Sequence, residues 1–130
     1  MKVLFLKDKR SKSGYEGSAT YLLRLCKYFN KYEIPYLVLY NGKDKYRDAL
    51  IKNNINVKYF EFLKETPKNI FRKFTLVKKI QNELSRIVYK ENFTLINAHF
   101  PHLLCSIDKK IKKDRQIICH WHGAEVVNKS

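Results

Sequence analysis

The chain has 130 residues, 45% of them hydrophobic, and carries 27 Lys and Arg against 12 Asp and Glu, a formal net charge of +15. That length suits one domain with a real core. The aliphatic and aromatic content excludes disorder, and 4 Gly with 3 Pro exclude collagen-like and low-complexity chains. The charge implies an anionic partner: nucleic acid, an acidic membrane surface or a phosphorylated ligand. The joint richness in Lys, Asn, Ile, Tyr and Phe gives part of the Lys excess a compositional origin as well. No apolar run reaches membrane-span length, and the apolar stretch within Met1–Lys7 is too short for a signal-peptide core, so the expected location is the cytosol. Cys26, Cys105 and Cys119 are odd in number and widely spaced, unlike a disulfide framework.

Val3 to Lys7 reads as a buried strand, and Asp8 to Gly17 as a polar loop. Ser18 is placed to cap a helix whose apolar face is Ala19, Leu22, Leu23, Cys26 and Phe29, and which ends near Tyr32 ahead of Pro35. Tyr36 to Tyr40 is a second strand, Asn41-Gly42 a turn, Lys45 to about Asn53 a short helix, and Val57 to Phe62 a third strand. Thr66 and Pro67 start a long helix running to Glu91, with Ile70, Phe74, Val77, Ile80, Leu84, Ile87 and Val88 on one face. Thr94 to Ala98 is a fourth strand, Pro101 to about Lys110 a short helix with Cys105 facing the core, and Gln116 to Trp121 a fifth strand. Strict alternation of strands and helices predicts an α/β domain, a Rossmann-like doubly wound parallel sheet in the order 3-2-1-4-5.

In that topology the ligand crevice lies beyond the carboxyl ends of strands 1 and 4. It gathers the Gly14, Gly17 and Ser18 loop, Asn97 and His99 after strand 4, and His120, His122 and Gly123 after strand 5. The loop opens a helix, which favours an anion, but it is neither G-x-G-x-x-G nor a P-loop, and Tyr40 and Asn41 stand where a dinucleotide dehydrogenase carries an acid. His99, His102, Cys105, Cys119, His120 and His122 supply enough ligands for zinc, yet their spacing matches no standard module, so no metal site is expected.

These residues resemble the N-terminal domain of family 4 glycosyltransferases, retaining sugar-nucleotide-dependent enzymes of the GT-B fold. The likeness runs along the whole chain, from MKVLFL and GYEGSATYLLRLCKYFNKY to FTLINAHF and IICHWHGAE. The resemblance implies that Gly14, Gly17 and Ser18 line the acceptor side of an interdomain cleft. It places His122 close to the transferred sugar, as the residue expected to act in catalysis. Gly123, Glu125 and His99 match the positions beside it. One departure is Gly17-Ser18-Ala19-Thr20 in place of the family's Gly-Gly-x-Glu. The resemblance further implies a nucleotide-sugar donor, no metal requirement, a glycan or lipid-linked acceptor of the cell-surface polysaccharide or lipopolysaccharide type, and a second domain that holds the donor. No counterpart of that second domain stands in these 130 residues, which are therefore expected to be a fragment, inactive alone.

Lys68, Arg72, Lys79, Arg86 and Lys90 form a stripe opposite the apolar face of the long helix, and Lys109, Lys110, Lys112, Lys113 and Arg115 add to it. Each basic residue near an anionic leaflet is worth about 1 kcal/mol, so the stripe suits peripheral attachment to the inner face of a membrane. The alternative is a non-catalytic basic binding domain or subunit for an anionic partner. Nucleic acid is the weaker partner, because the Tyr and Phe residues are expected in the core, leaving no stacking platform.

Overall fold

The structure, a computed structural model, describes residues 1–9, 17–62 and 70–119. Its elements are β1 (Val3–Lys7), α1 (Gly17–Lys31), β2 (Tyr36–Tyr40), α2 (Lys45–Lys52), β3 (Val57–Tyr59), α3 (Ile70–Lys90), β4 (Leu95–Ala98), a 3₁₀ segment (Pro101–Ser106), α4 (Lys109–Asp114) and β5 (Gln116–Cys119). All strand pairs are parallel, in the order β3-β2-β1-β4-β5. The fold is the expected Rossmann-like α/β sheet. β1 and β2 are buried at every position, which is why VLFLK and YLVLY do not alternate. β5, at the edge, alternates between exposed and half-buried residues.

The sheet separates two apolar clusters. Leu4, Leu6, Ile96 and Ala98 meet Ile80, Leu84, Ile87 and Val88 of α3 on one face. Val3, Phe5 and Val38 meet Ala19, Leu22 and Cys26 of α1 and Tyr46 and Leu50 of α2 on the other. The Tyr46 hydroxyl donates to the carbonyl of Ala19 at 2.8 Å, tying α2 to α1. Asp44 caps α2, its carboxylate accepting from the Arg47 amide at 3.1 Å, and Asp108 caps α4 through the Ile111 amide at 2.8 Å. Gly42 fits its turn because a Cβ there would lie 2.6 Å from the Tyr40 ring.

Three helices stop by one device. Glu33, Asn54 and Asn92 adopt φ of 55°, 59° and 55°. The following apolar residues, Ile34, Ile55 and Phe93, donate their amides to Phe29, Leu50 and Val88 at 2.9, 2.9 and 3.0 Å. This six-residue closure satisfies an orphan carbonyl and turns each chain into the next strand.

Several expectations are corrected. α1 begins at Gly17, so Ser18 lies inside its first turn rather than capping it. β3 stops at Tyr59; Phe60 and Phe62 are still buried, but beyond the ladder. Phe74 is 68% exposed and Val77 only half-buried, because the apolar face of α3 meets the sheet from Ile80 onward. The single helix expected over Pro101 to Lys110 is two segments, divided at Ile107 where Asp108 caps α4. Cys105 is exposed rather than core-facing, since the 3₁₀ segment turns Leu103 and Ser106 inward instead. Tyr21, Tyr28 and Tyr32 are exposed, because the apolar face of α1 is narrow and leaves them on its flank. The expected helix start at Thr66 and Pro67 and the end of the fifth strand at Trp121 lie outside the described residues.

The burial pattern of α3 generates a stability prediction. Leu84→Ala should cost about 2–5 kcal/mol, because Leu84 is fully buried between α3 and the sheet. Phe74→Ala should stay within about 0.5 kcal/mol. Urea unfolding of the two variants checks both, and equal losses would contradict the exposed position of Phe74.

Candidate functional site

The carboxyl end of the sheet collects polar side chains that an apolar core would reject. β1 ends in Lys7, Asp8 follows it, and both are buried despite their charge. β4 carries Asn97 and runs on into His99, also buried. The His99 amide donates to the Leu6 carbonyl at 3.0 Å, so His99 stands beside Lys7 across the β1–β4 pair. Its ring lies against Phe5 and against Tyr21 of α1, with centroids 6.5 and 6.3 Å away.

The two ions at the end of β1 are held by specific partners. Lys7 Nζ donates to the Asp8 carbonyl at 2.8 Å and sits 5.0 Å from the centre of the Phe100 ring. Asp8 Oδ2 lies 2.5 Å from His102 Nε2. The Lys9 amide donates to Asn41 Oδ1 at 2.6 Å. The segment leaving β1 is thereby pinned on one side to the turn after β2 and on the other to the 3₁₀ segment after β4. Asp8 and His102 are 94 residues apart in sequence, and only the strand order brings them together. The carboxylate orients the imidazole, whose ring also stacks on Phe100 at 5.8 Å and 20°. A buried cation, a carboxylate–imidazole pair and two buried acceptor oxygens, Asp8 Oδ1 and Asn97 Oδ1, with no donor among the described residues make this rim the candidate site.

Of the expected site residues, the structure places His99 in this cluster and Gly17 and Ser18 in the first turn of α1. Gly14, His120, His122, Gly123 and Glu125 lie outside the described residues, as does Lys68. Lys79, Arg86 and Lys90 are exposed on α3, and Arg72 belongs to the same helix. Arg86 pairs with Glu83 at 2.5 Å, so that stripe is partly neutralised. Sequence reasoning missed Asp8 and Tyr21 and weighed His102 only as a metal ligand; the Lys-Asp dipeptide closing an apolar strand was the available signal. A groove of about 450 Å³ between Tyr59–Phe62 and Leu76–Glu83 is lined by none of these rim residues.

No three His, Cys, Asp or Glu side chains converge as a metal site among the described residues. The cysteines differ in environment instead. Burial pushes the Cys26 thiol up to about 12 and raises that of half-buried Cys119, whereas Cys105 is exposed.

His102→Ala strands a buried carboxylate and should destabilise the fold by about 1–3 kcal/mol. The Asp8→Asn/His102→Ala double variant should be no less stable than His102→Ala alone, as read from a urea-unfolding cycle. A thiol reagent at pH 8 should modify Cys105 first and leave Cys26 untouched until the chain unfolds, because only the thiolate reacts. The protonated Cys26 thiol supports the fold below pH 9, and that support is lost as pH rises from 9 toward 12.

No protein-family model and no curated protein matches the chain. Comparison with solved structures finds the same fold in a glycosyltransferase from Rickettsia africae ESF-5, with a TM-score of 0.68 and 15% identity over 94% of this chain and 30% of that one. It also finds Anabaena Alr3699/HepE, solved in complex with UDP-glucose, with a TM-score of 0.65 and 20% identity over 100% of this chain and 31% of that one. Alr3699/HepE in complex with UDP and glucose gives a TM-score of 0.64 at 20% identity. The chain thus spans about 30% of the length of the solved chains that share its fold.

Proposed function

We propose that the chain is the acceptor-side Rossmann-like domain of a retaining glycosyltransferase that moves a sugar from a nucleotide-sugar to a glycan or lipid-linked acceptor. The observation that carries the reading is the fold, shared over 94% of the chain with a named glycosyltransferase. Alr3699/HepE, which shares the fold over the full chain, was solved with UDP-glucose, and that favours a UDP-sugar donor. The length of those proteins supports a second domain that holds the donor and meets the charge on the departing diphosphate. In this reading that electrostatic stabilisation is the largest contribution to catalysis, and no metal ion is required.

On this chain's side, His122 hydrogen-bonds the transferred sugar or the acceptor, flanked by Gly123 and Glu125. Gly14, Gly17 and Ser18 line the acceptor path. The rim described above supports the reading physically. Lys7, Asp8 and His102 hold the end of β1 rigidly, and Asp8 Oδ1 and Asn97 Oδ1 are acceptors of the kind that sugar hydroxyls satisfy. A carboxylate-oriented imidazole and a buried cation suit a hydroxyl-bearing ligand with an anionic neighbour.

The same reading includes peripheral attachment to the cytoplasmic face of a membrane through Lys68, Arg72, Lys79, Arg86 and Lys90. Leu76, exposed on α3 near Lys79, supplies apolar contact beside those cations. No described helix is long and apolar enough to cross a membrane.

The intact polypeptide, isolated from its own cells, should run well above 15.6 kDa. It should transfer radiolabel from a UDP-sugar to a membrane extract, with His122→Ala lowering kcat by about 10²-fold or more. Undiminished turnover in that variant would remove His122 from the mechanism, and a native mass near 15.6 kDa would remove the two-domain reading.

A further inference from the structure

The exposed flank of α1 carries a feature that transfer chemistry at the rim does not use. Tyr21, Tyr28 and Tyr32 are 45%, 54% and 54% exposed. Tyr32 follows the last residue of α1, its amide still donating to the Tyr28 carbonyl at 3.1 Å, so spacings of seven and eleven residues place the three within about 40° of one another around a helix of 3.6 residues per turn, in a row about 16 Å long. The row starts at the rim, where the Tyr21 ring lies against His99. It ends with Tyr28 and Tyr32 in mutual contact, centroids 4.5 Å apart and tilted by 47°. Arg24 and Lys31 are exposed along its solvent side, and Lys31 Nζ sits 5.5 Å from the centre of the Tyr32 ring. α1 has no acidic residue from Gly17 to Lys31; the first acid after it is the exposed Glu33, next to Tyr32, so Arg24 has no acid within its helix.

We infer that this row is a binding track for an acidic oligosaccharide, leading the acceptor chain away from the rim along α1. The inference rests on the glycosyltransferase reading and deepens it by naming the acceptor class: a glycan bearing carboxylate or phosphate groups. Tyrosine rings give rigid apolar faces for the C–H side of a sugar ring and hydroxyls for its polar edge, at low entropic cost. Arg24 and Lys31 lie where the anionic substituents of such a chain would pass. The 16 Å length fits several sugars rather than one.

Two other anionic partners fit less well. Tyr28 and Tyr32 already touch at a tilt, so no nucleobase can stack flat between them. The aliphatic residue nearest to the row, Leu25, is half-buried against the core, so the row offers hydroxyl-tipped rings and no hydrocarbon to insert into a bilayer.

The test is binding by the intact polypeptide without donor, using fluorescent oligogalacturonate and oligosialate, a neutral maltooligosaccharide of equal length, a single-stranded oligonucleotide, and phosphatidylglycerol vesicles. At least one acidic oligosaccharide should bind about tenfold or more tightly than the neutral one. Tyr28→Ala/Tyr32→Ala should weaken it by about tenfold, and Tyr28→Phe/Tyr32→Phe should retain most of the binding. Arg24→Gln/Lys31→Gln should flatten its salt dependence. Equal binding of acidic and neutral sugars, indifference to the tyrosine pair, or tighter tyrosine-dependent binding of the oligonucleotide or the vesicles would each overturn the track. Because donor is absent, these failures leave UDP-sugar transfer unaffected. Loss of transfer with acidic-glycan binding intact would overturn the enzyme reading and not the track.

Discussion

The structure depends on what happens where β1 ends. β1 is the central strand, flanked by β2 and β4, and its last residues bring an ammonium and a carboxylate into a largely dry interior. Burying two charges costs several kcal/mol each unless partners are held in place. Here the partners come from three separate stretches: the Asp8 carbonyl and the Phe100 ring for Lys7, His102 for Asp8, and Asn41 for the Lys9 amide. The order β2-β1-β4 is what lets a residue after β2 and a residue after β4 reach the same three-residue segment, Lys7 to Lys9. The polar rim and the doubly wound topology are therefore one constraint seen at two scales.

How much of this was legible in the sequence depended on the range of the interactions. β1 and β2 are visible residue by residue, because a strand buried on both faces must be a continuous apolar run. The sheet order followed from the right-handedness of crossovers. The ends of the three longer helices were also legible: they were expected near Tyr32, Asn53 and Glu91 and fall at Lys31, Lys52 and Lys90. What the sequence did not announce is the closing conformation, which Glu33, Asn54 and Asn92 adopt in place of glycine. The break at Asp108 was missed: a single helix was read from Pro101 to about Lys110, whereas a 3₁₀ segment ends at Ser106 and Asp108 caps a separate α4. The Asp8–His102 pair is legible only after the topology is known, since no local pattern links residues 94 positions apart. Phe74 matched the helical period yet lies where α3 has run past the strands, because periodicity marks a face and not how far the sheet extends beneath it.

The excess of cations and the excess of aromatics answer one another. Lys2 lies over Phe93, Lys7 over Phe100, Lys43 over Tyr59, and Lys110 and Arg115 over Tyr89. Each such contact contributes about 0.5–1 kcal/mol where exposed. With few carboxylates to pair with, Lys43, Lys110 and Arg115 are accommodated on ring faces, and Lys7 is buried against one. A chain built this way keeps its fold while presenting unneutralised positive charge, which an ion-pair network would cancel.

That charge is distributed unequally between the two helical faces, and the difference bears on what each can bind. On α3 the cations stand beside Leu76 but also beside Glu83, which takes up Arg86. Apolar side chains among lysines suit a surface that presents both headgroups and hydrocarbon. On α1 the cations flank three tyrosines, without an acid on the helix and without a projecting aliphatic residue. Rings with hydroxyl tips beside uncompensated charge suit a hydrated, anionic, hydroxyl-rich chain. α1 lies on one face of the sheet and α3 on the other, so a lipid surface under α3 and a glycan along α1 would not compete for space. The row on α1 meets the polar rim at Tyr21 and His99, so a chain lying on it would be delivered to the end of β4 with the bilayer held on the opposite side.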